Sequence, residues 1–518
     1  MNRYKKANEG IHAPEHVKER AAGLQGRRGG YPRWAGAVAA MLAVVLMGGI
    51  ALYSGNRATV DRPIPYSEDG PGQWGRGVDL PAQANALSVA SYPEVHPFPR
   101  QDEYLRSYSD SEYEKYNAAY DVWQADMEAL RTGMDYTGVM DGFLSRSAAQ
   151  FLTDAGAENR VYSPLNVYMA LSMVAETAGD NSRAQILDLL QADSIEALRE
   201  RANGLWRDNY RDDGVVTAIL GNSLWLRDGM TYRQETLDIL AKNYFASSFS
   251  GKMGTEEYNQ ALRDWINEQT NGLLAEQARG LEMDADTVLA LASTLYFKAA
   301  WSGEFQKENT ETDTFHALSG DVDGPFMRRI IESGVYYWGE RFAAVELRFQ
   351  EGGSMWLILP DEGDSVDDLL KSGEAMDFLL ADKGLTGDQQ AYAWPDQKVA
   401  QINLSMPKFD VSSDLDLIKG LEALGVTDVF DSSVSNFDPL GASTDDPLYV
   451  SQAQHTARVK VDEEGCEAAA FTVVTMNPTS AAPPNDEVDF TLDRPFLFAV
   501  TGDSGLPLFT GVVNQPNG

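Results

Sequence analysis

The sequence predicts an α+β domain over residues 136–518, with sheets that are largely antiparallel or mixed. Helical patterns dominate the first part of this range, as in Asn166–Ala175 and Glu256–Thr270. Runs typical of strands come later, as in Met355–Leu359 and Leu508–Val513. The two kinds of pattern are interspersed without a regular βαβ alternation, which favours the α+β class over a parallel α/β fold.

The composition is that of a globular protein and excludes several classes of function. The chain has 518 residues, of which 43% are hydrophobic and 23% are charged. Its 78 acidic and 42 basic residues give a net charge of −36, which argues against nucleic acid as a partner. Cys466 is the only cysteine, so no disulfide within the chain and no cysteine-rich metal site can form. We expect no metal and no other cofactor.

The first 53 residues have the pattern of a membrane-targeting leader. Residues 1–33 carry eight basic residues, and Trp34–Tyr53 form a run of 20 residues without a charge. A helix of about 20 apolar residues spans a bilayer, and the basic flank places the N-terminus in the cytoplasm. The favoured interpretation is an uncleaved transmembrane signal anchor at 34–53 that holds the rest of the chain outside the cell. The alternative is a cleaved signal peptide and a secreted protein.

Residues 54–135 are predicted to form an extracellular linker or stalk. Residues 54–101 are rich in Pro, Gly, Ser and Asp, as linkers are. A helix is predicted at 102–132, because aromatic and apolar residues recur there at steps of three and four. These residues are Tyr113, Tyr116, Tyr120, Trp123, Met127 and Leu130. The spacing favours a helix that packs on or beside the main domain over a carbohydrate-binding platform.

The segment Gly502–Pro507 resembles the nucleophile loop of chymotrypsin-like proteases, with Ser504 as the nucleophile. A serine nucleophile needs a histidine base within reach and a carboxylate that orients this base. His316 and His455 are the only histidines of the main domain, and neither lies in a motif typical of such a base. Two apolar strands flank the segment, so a hairpin turn is favoured and we expect no enzymatic activity.

The segment Asp462–Arg494 has the features of a loop that can also become a strand. Small and β-branched residues fill its first part, and three prolines follow at 478, 483 and 484. With the period of two that strands have, one face is uniformly small or β-branched: Cys466, Ala468, Ala470, Thr472 and Val474. The opposite face holds Glu467, Ala469, Phe471 and Val473. The first face could cover a packed core as a new strand between two existing strands, while the second stays outside.

These features resemble the serpin family of protease inhibitors. Glu463–Ala470, with the sequence EEGCEAAA, is similar to the family's proximal hinge, and Phe490–Phe498 is similar to the motif after its reactive loop. Other matches follow in order over about residues 140–518: Ser163-Pro164, Asn222–Trp225, Tyr296–Lys298, Met406–Phe409 and Pro507–Gly511. By this set of motifs the chain is identified as a member of the family.

The resemblance implies a serpin fold of three β-sheets and about nine helices, with an exposed reactive loop at about residues 463–489. It implies an inhibitor that a serine protease cleaves, with an ester as the intermediate, and that traps the protease as the cut loop inserts into the main sheet. The residues implied to form the hinge and to insert are Glu463, Glu464, Gly465, Cys466, Glu467, Ala468, Ala469, Ala470 and Thr472. The residues implied to form the shutter, a buried polar cluster in the main sheet, are Ser163, Ser293 and His455.

Counting along the hinge as in the family places the reactive bond between Thr479 and Ser480. Asn477 and Met476 are the alternatives for the residue before the cut, because the stretch from Ser480 to Phe490 is a few residues longer than usual. Thr479 is small and uncharged, which suits the shallow specificity pocket of an elastase-like protease.

The resemblance also leaves an alternative function open, which is a non-inhibitory serpin that acts as a binding or scaffold protein. Residues 186–213 are mixed in charge, so no polyanion cofactor is expected. The expected partners are a target serine protease and, through residues 34–53, the membrane. The leader and the absence of disulfides suggest a bacterial-type protein, which is predicted to be a monomer.

Overall fold

The computed structural model describes residues 41–45, 85–384, 392–441, 448–451, 453–466 and 486–516. Helices and strands are interspersed within these ranges without a repeating βαβ order, so the predicted α+β class is confirmed. Two short 3-10 helices lie at Lys307–Asn309 and Asp428–Phe430. The described ranges contain twelve α-helices: α1 (Gln101–Tyr104), α2 (Asp110–Leu130), α3 (Asp141–Leu152), α4 (Pro164–Thr177), α5 (Asp180–Leu189), α6 (Ile195–Asn209), α7 (Gln234–Asn243), α8 (Glu256–Gln269), α9 (Ala275–Ala278), α10 (Val366–Ser372), α11 (Glu374–Leu380) and α12 (Ile418–Ala423).

The first of two sheets, called the main sheet below, contains the hinge. Its strands are β1 (Met41–Val45), β2 (Asn85–Ser88), β4 (Arg211–Asp212), β5 (Thr217–Arg227), β6 (Ala246–Gly251), β7 (Leu289–Ala300), β13 (Phe409–Asp416), β14 (Gln454–Val461) and β15 (Gly465–Cys466). The strand order is β1-β14-β15-β7-β5-β6-β2, with β13 beside β14 and β4 beside β5. Since β5 and β6 run parallel and their neighbours antiparallel, the sheet is mixed, as predicted.

The second sheet packs against the main sheet, where its strand β3 (Arg160–Tyr162) contacts β13 and β14. Its strands are β3 (Arg160–Tyr162), β8 (Glu311–Ala317), β9 (Gly320–Trp338), β10 (Phe342–Arg348), β11 (Ser354–Pro360), β12 (Gln397–Pro407), β16 (Glu487–Thr491), β17 (Phe496–Thr501) and β18 (Pro507–Val513). Their order is β16-β12-β9-β10-β11-β17-β18-β3, with β8 beside β9. The expected three sheets are therefore two by hydrogen bonding, because the 19 residues of β9 pair first with β8 and β12 and then with β10.

Helix α4 lies between the two sheets, and all 14 of its residues are buried. Its sequence is apolar on nearly every side, as expected for a helix that other elements enclose. The hydroxyl of Ser163 accepts a hydrogen bond from the Asn166 amide at 3.2 Å, and Pro164 occupies the first turn. Both features favour a helix start at this point, so the local sequence places Ser163 beneath the main sheet.

Residues 85–136 lie on the body of the protein, and we call them the N-terminal strap. The strand β2 extends the main sheet beside β6, and Trp123, Met127 and Leu130 of α2 are buried. Residues 85–101, predicted as part of an extended linker at 54–101, therefore pack on the domain instead. The helix predicted at 102–132 is α2, and the buried side chains show that the aromatic and apolar spacing reflects packing. Residues 54–84 lie outside the described ranges.

The apolar run predicted to span a membrane is described only at β1. Met41–Val45 pair antiparallel with β14 and with β7, so these residues form a strand and not part of a transmembrane helix. A strand in the middle of a sheet can also have a continuous apolar sequence, which is why the sequence pattern does not distinguish the two. Across the described ranges, no helix is long and apolar enough to cross a membrane.

The segment around Ser504 is the turn between β17 and β18, which confirms the predicted hairpin. The hydroxyl of Ser504 donates a hydrogen bond to Oδ1 of Asn209 at 2.9 Å. His316 contacts Asp321, and His455 contacts the backbone of Ser163. The two histidines of the main domain thus have other partners, and the geometry does not support a serine nucleophile.

Candidate functional site

The hinge begins where β14 ends, and a tight turn leads from Val461 to the short strand β15. The amide of Asp462 donates to the carbonyl of Gly465 at 3.1 Å, and the carboxylate of Asp462 accepts from the amide of Glu464 at 3.0 Å. Cys466 then pairs with Val461 of β14 on one side and with Ala299 of β7 on the other. The chain after β14 therefore starts a new strand between two strands of the main sheet.

Gly465 is required by this close approach. An added Cβ at this position would lie 2.2 Å from the carbonyl oxygen of Ala299 and 2.9 Å from Cα of Ala300, both of which are backbone atoms. Backbone atoms inside a sheet cannot move away without loss of pairing. Only glycine allows the hinge to enter beside β7 at this point.

Glu463 is the buried charge of the hinge, with 6% of its surface exposed. Its Oε2 lies 2.7 Å from Nζ of Lys408, and its Oε1 accepts a hydrogen bond from the Thr310 hydroxyl at 2.9 Å. Burial opposes ionisation of this carboxyl, but the bonds from Lys408, the backbone and Thr310 outweigh burial and lower its pKa. Glu463 is thus ionised, and it lies in the turn that precedes the loop.

Two aromatic residues after β7 hold the backbone of the hinge. The amide of Trp301 donates to the carbonyl of Glu464 at 3.1 Å, and its indole Nε1 donates to the carbonyl of Asp462 at 2.9 Å. The amide of Phe305 donates to the carbonyl of Glu463 at 3.2 Å. Each of the three carbonyls before Gly465 therefore has a donor, and these hydrogen bonds fix the turn.

The predicted shutter residues are only partly brought together. Nε2 of His455 accepts a hydrogen bond from the Ser163 amide at 3.1 Å, so the ring proton is on Nδ1. Burial lowers the pKa of His455 well below its usual value, and the ring is neutral. Nδ1 has no hydrogen-bond partner among the described residues.

Ser293 lies one strand away from this pair. Its hydroxyl donates to Oδ1 of Asn222 at 2.6 Å, and the amide of Asn222 donates to the Tyr244 carbonyl at 2.9 Å. In the strand register, Val44 of β1 is opposite both His455 and Ser293. The serine therefore ties β7 to β5 and does not reach the histidine on β14.

The family model described as Serpin (serine protease inhibitor) matches residues 142–516. This range contains the hinge, the shutter residues, every strand of the second sheet and every strand of the main sheet except β1 and β2. The chain belongs to the serpin family. The serpin fold predicted from the motifs is thereby confirmed. The members of this family are in general protease inhibitors and not enzymes.

Individual serpins are also similar to this chain in sequence and in structure. The chain is 31% identical over 400 residues to a putative rice serpin, serpin-Z6C, and the match covers 71% of this chain and 94% of that one. It is 28% identical over 375 residues to serpin-Z1B of wheat, with 70% and 91% covered. Among solved structures, the native state of the thermophilic serpin tengpin is similar with a TM-score of 0.63 and 25% identity, covering 74% of this chain and 96% of that one.

The comparisons do not extend to the finer predictions. The curated serpins named above come from plants, so they give no support to the expectation of a bacterial-type protein, and no comparison supports a membrane segment. The predicted reactive bond Thr479–Ser480 lies outside the described residues, as do the alternatives Met476 and Asn477. The same holds for the inserting residues Glu467, Ala468, Ala469, Ala470 and Thr472.

Several residues of the serpin site were not predicted to act there. Lys408 lies in the motif Met406–Phe409, and Trp301 follows the motif Tyr296–Lys298, but no local pattern connects them with Glu463, which is 55 residues after Lys408. Asn222 takes the hydrogen bond of Ser293. A buried asparagine in the middle of an apolar strand is the one signal in the sequence that could have indicated this role.

Proposed function

We propose that this serpin inhibits a serine protease by a covalent suicide-substrate mechanism. The single observation that carries the proposal is the position of Gly465 and Cys466 between β14 and β7. The first residues of the loop already pair as a strand whose continuation would lie in the centre of the main sheet. The small inner face from Cys466 to Val474 suits such a position over a packed core.

The chemistry requires only a cleavable bond in an extended loop. The serine hydroxyl of the protease adds to the carbonyl carbon of Thr479, and its proton passes to the histidine of the protease. The bond to the nitrogen of Ser480 then breaks as this nitrogen takes up the proton. The products are an ester between the protease and Thr479 and a free amine on Ser480.

Insertion stops the reaction at the ester. About fifteen residues at about 3.3 Å each form a strand of about 50 Å, which carries the bound protease along the sheet. Met41–Val45 pair with both β7 and β14 in the same gap, so β1 has to leave before the whole loop can enter. The uncleaved protein is then kinetically stable. Its lifetime depends on the rate at which it rearranges and not on an equilibrium free energy.

The small side chain of Thr479 favours an elastase-like protease as the target. The test mixes the full chain with an elastase and, separately, with trypsin, followed by denaturing gels and mass spectrometry. We expect a complex stable in SDS with elastase and a released fragment that starts at Ser480. The variant Thr479→Arg should transfer complex formation to trypsin, since a pocket with a buried carboxylate binds arginine. Cleavage of both forms without a stable complex would favour a non-inhibitory serpin.

An extracellular location is also part of the proposal, from the leader pattern at residues 1–53 of the sequence, and it requires that Met41–Val45 leave the main sheet, where they form β1. Fractionation of cells that produce the full chain, with protease added from outside, tests it. Resistance of residues 136–518 to the added protease in intact cells, and digestion after lysis, would contradict it.

A further inference from the structure

The loop rejoins the body of the protein at β16, which is at one end of the strand order in the second sheet. β16 pairs in parallel with β12, and β12 pairs with β9. Ser480, after the predicted reactive bond, precedes Glu487 of β16 by seven positions. Seven residues span at most about 25 Å. A protease domain of about 230 residues is about 45 Å across, so a protease bound to the loop comes close to the surface next to β16.

The outer face of these three strands follows from the alternation of side chains along a strand. Ile402 and Leu404 of β12 are buried in the core, so Asn403 between them points outwards. Ile330 of β9 and Asp489 of β16 are the register partners of Asn403 on either side. We call this surface the acidic face, and its outward residues are Ile330, Glu332, Val399, Asn403, Glu487 and Asp489.

The carboxylates of the acidic face lie close together and are exposed. Nδ2 of Asn403 donates to Oε1 of Glu487 at 2.8 Å and to Oδ1 of Asp489 at 2.9 Å, which holds two carboxylates on either side of one amide. Glu332 adds a third exposed carboxylate on β9. Three negative charges are thus presented on neighbouring strands.

The cations on these strands are paired with other acids. Arg328 of β9 forms ion pairs with Glu311 and Asp313 of β8. Nζ of Lys398 on β12 lies 3.6 Å from Oδ2 of Asp486. Within the described ranges, the three carboxylates of the acidic face form no ion pair, so their charge is available to attract a positive partner.

The acidic face also exposes apolar side chains. Ile330 is 62% exposed and Val399 is 50% exposed. Exposed apolar side chains beside charged ones are typical of a docking surface, in which the apolar part excludes water and the charges select the partner. Ser405, the next outward position after Asn403, is 8% exposed, and its hydroxyl lacks a hydrogen-bond partner in the described part of the chain. A docked partner, or a water beneath it, can supply one.

We propose that the acidic face docks on a basic surface beside the active site of the target protease, an inference that rests on the proposed inhibitory function. Opposite charges on two surfaces raise their rate of association, and like charges lower it. The loop selects proteases by the residue before the cut, and the acidic face selects the basic ones among them. Because the attraction acts before cleavage, it changes the rate of association and not the share of cleaved loops that end as complexes.

The experiment uses the full chain and a cationic elastase of the neutrophil type. One variant combines Glu487→Gln with Asp489→Asn, which removes two charges from β16 and keeps oxygen acceptors for Asn403. A second variant, Glu332→Lys, reverses a charge on β9 without the loss of a hydrogen bond to Asn403. Circular dichroism verifies the fold of each variant.

The matched controls change the same charges far from the acidic face. They are Glu282→Gln combined with Asp286→Asn, and Glu282→Lys, at exposed residues before β7. The hinge is at the other end of β7, whose 12 residues span about 40 Å. The rate constant for formation of the SDS-stable complex is measured in about 0.01 M and about 1 M sodium chloride, where charges act over about 30 Å and about 3 Å. Binding of the same elastase with its active-site serine replaced by alanine is measured in parallel.

We expect complex formation about threefold slower than in wild type for both variants of the acidic face at low salt. The difference should vanish at high salt, the yield of complex per cleaved loop should not change, and the controls should have rates close to wild type. Equal rates in the face variants and the controls would overturn the inference, and so would a difference that persists at high salt. If the active elastase forms no SDS-stable complex, the proposed inhibitory function fails, whereas weaker binding of the inactive elastase by the face variants alone would still support the docking surface.

Discussion

The Nζ of Lys408 lies 2.7 Å from Oε2 of Glu463, at the point where the main sheet ends and the loop begins. The carboxylate side chain is 8% exposed and the lysine side chain 35%, so the pair is open to water on one side only. A second pair lies close to it, between Lys307 and Glu464 at 2.6 Å, but this lysine is 68% exposed. The two pairs offer a matched comparison of a half-buried and an exposed contact at the same hinge.

We expect Lys408→Met to destabilise the uncleaved protein by about 2 kcal/mol, since a hydrogen bond to a buried charged group contributes about 1.5–3 kcal/mol. Lys307→Met should change stability much less than Lys408→Met, since exposed ion pairs contribute little. The unfolding rates of the two variants and of the wild type in urea measure both changes in stability. Equal effects of the two variants would contradict the assignment of Glu463 as the buried charge of the hinge.

The Lys408 contribution should depend on pH. The pKa of Glu463 in the folded protein is below its ordinary value of 4.5. The stability from this pair is therefore fully present above pH 4.5 and is lost as pH falls towards the folded pKa. The difference between wild type and Lys408→Met should shrink over this range, and a difference that grows on acidification would contradict it.

Gly465→Ala should expel the hinge from the sheet, because the new methyl group would meet the backbone of Ala299. Cys466 is fully buried and is the only cysteine of the chain, so its reaction with a thiol reagent reports the loss of pairing. We expect labelling at least tenfold faster than in wild type. The control is Gly280→Ala, where an added Cβ meets nothing within 4 Å. Unchanged labelling in Gly465→Ala would contradict the close approach.

The buried carboxyl group of Asp212 should lower the stability of the folded protein above neutral pH. Burial, with a smaller contribution from the charge of Asp213, raises the pKa of Asp212 to about 7 from 3.8. The folded protein then binds this proton more tightly than the unfolded chain, so stability is lost as pH rises from 3.8 to about 7. Asp212→Asn should stabilise the protein by on the order of 2 kcal/mol at pH 8 and much less at pH 4.5.

Thermal melts at the two pH values measure the effect of Asp212→Asn. Asp188→Asn, at an exposed position of α5, is the control and should leave both melting temperatures unchanged. The same gain at pH 4.5 and pH 8 would show that the effect does not come from the proton on Asp212.

Thr472 and Val473 test the two faces of the inserting segment. Under the proposed mechanism, Thr472 points into the sheet and Val473 points outwards. Thr472→Arg should abolish the SDS-stable complex and leave the loop as a substrate, because a charged side chain would be buried without a partner. Val473→Arg should still form the complex. Complex formation by both variants, or by neither, would contradict the predicted register.

Local patterns in the sequence predict the elements whose partners are close in the chain. The hairpin at Ser504 and the small-residue start of the loop at Cys466 depend on turn chemistry and on a period of two, which a single sequence displays. The same is true of the helix over Asp110–Leu130, where the spacing of Trp123 and Met127 reflects packing.

Contacts between distant residues could not be predicted in this way. Trp123 meets Asp213 across 90 positions, and Arg131 meets Asp503 across 372. No residue near Arg131 in the sequence indicates that this arginine has a buried carboxylate as its partner. Without that information, the polar composition of the strap predicts a linker. The apolar run at 34–53 is similarly ambiguous, since Met41–Val45 suit a central strand as well as a membrane helix.

The most direct test of insertion is the melting temperature of the full chain before and after cleavage within residues 467–485. If the cut loop becomes a central strand of the main sheet, it adds a ladder of hydrogen bonds and a buried face. The cleaved form should then melt well above the intact form. Equal melting temperatures, with cleavage verified by mass spectrometry, would show that the loop does not insert and would contradict the inhibitory mechanism.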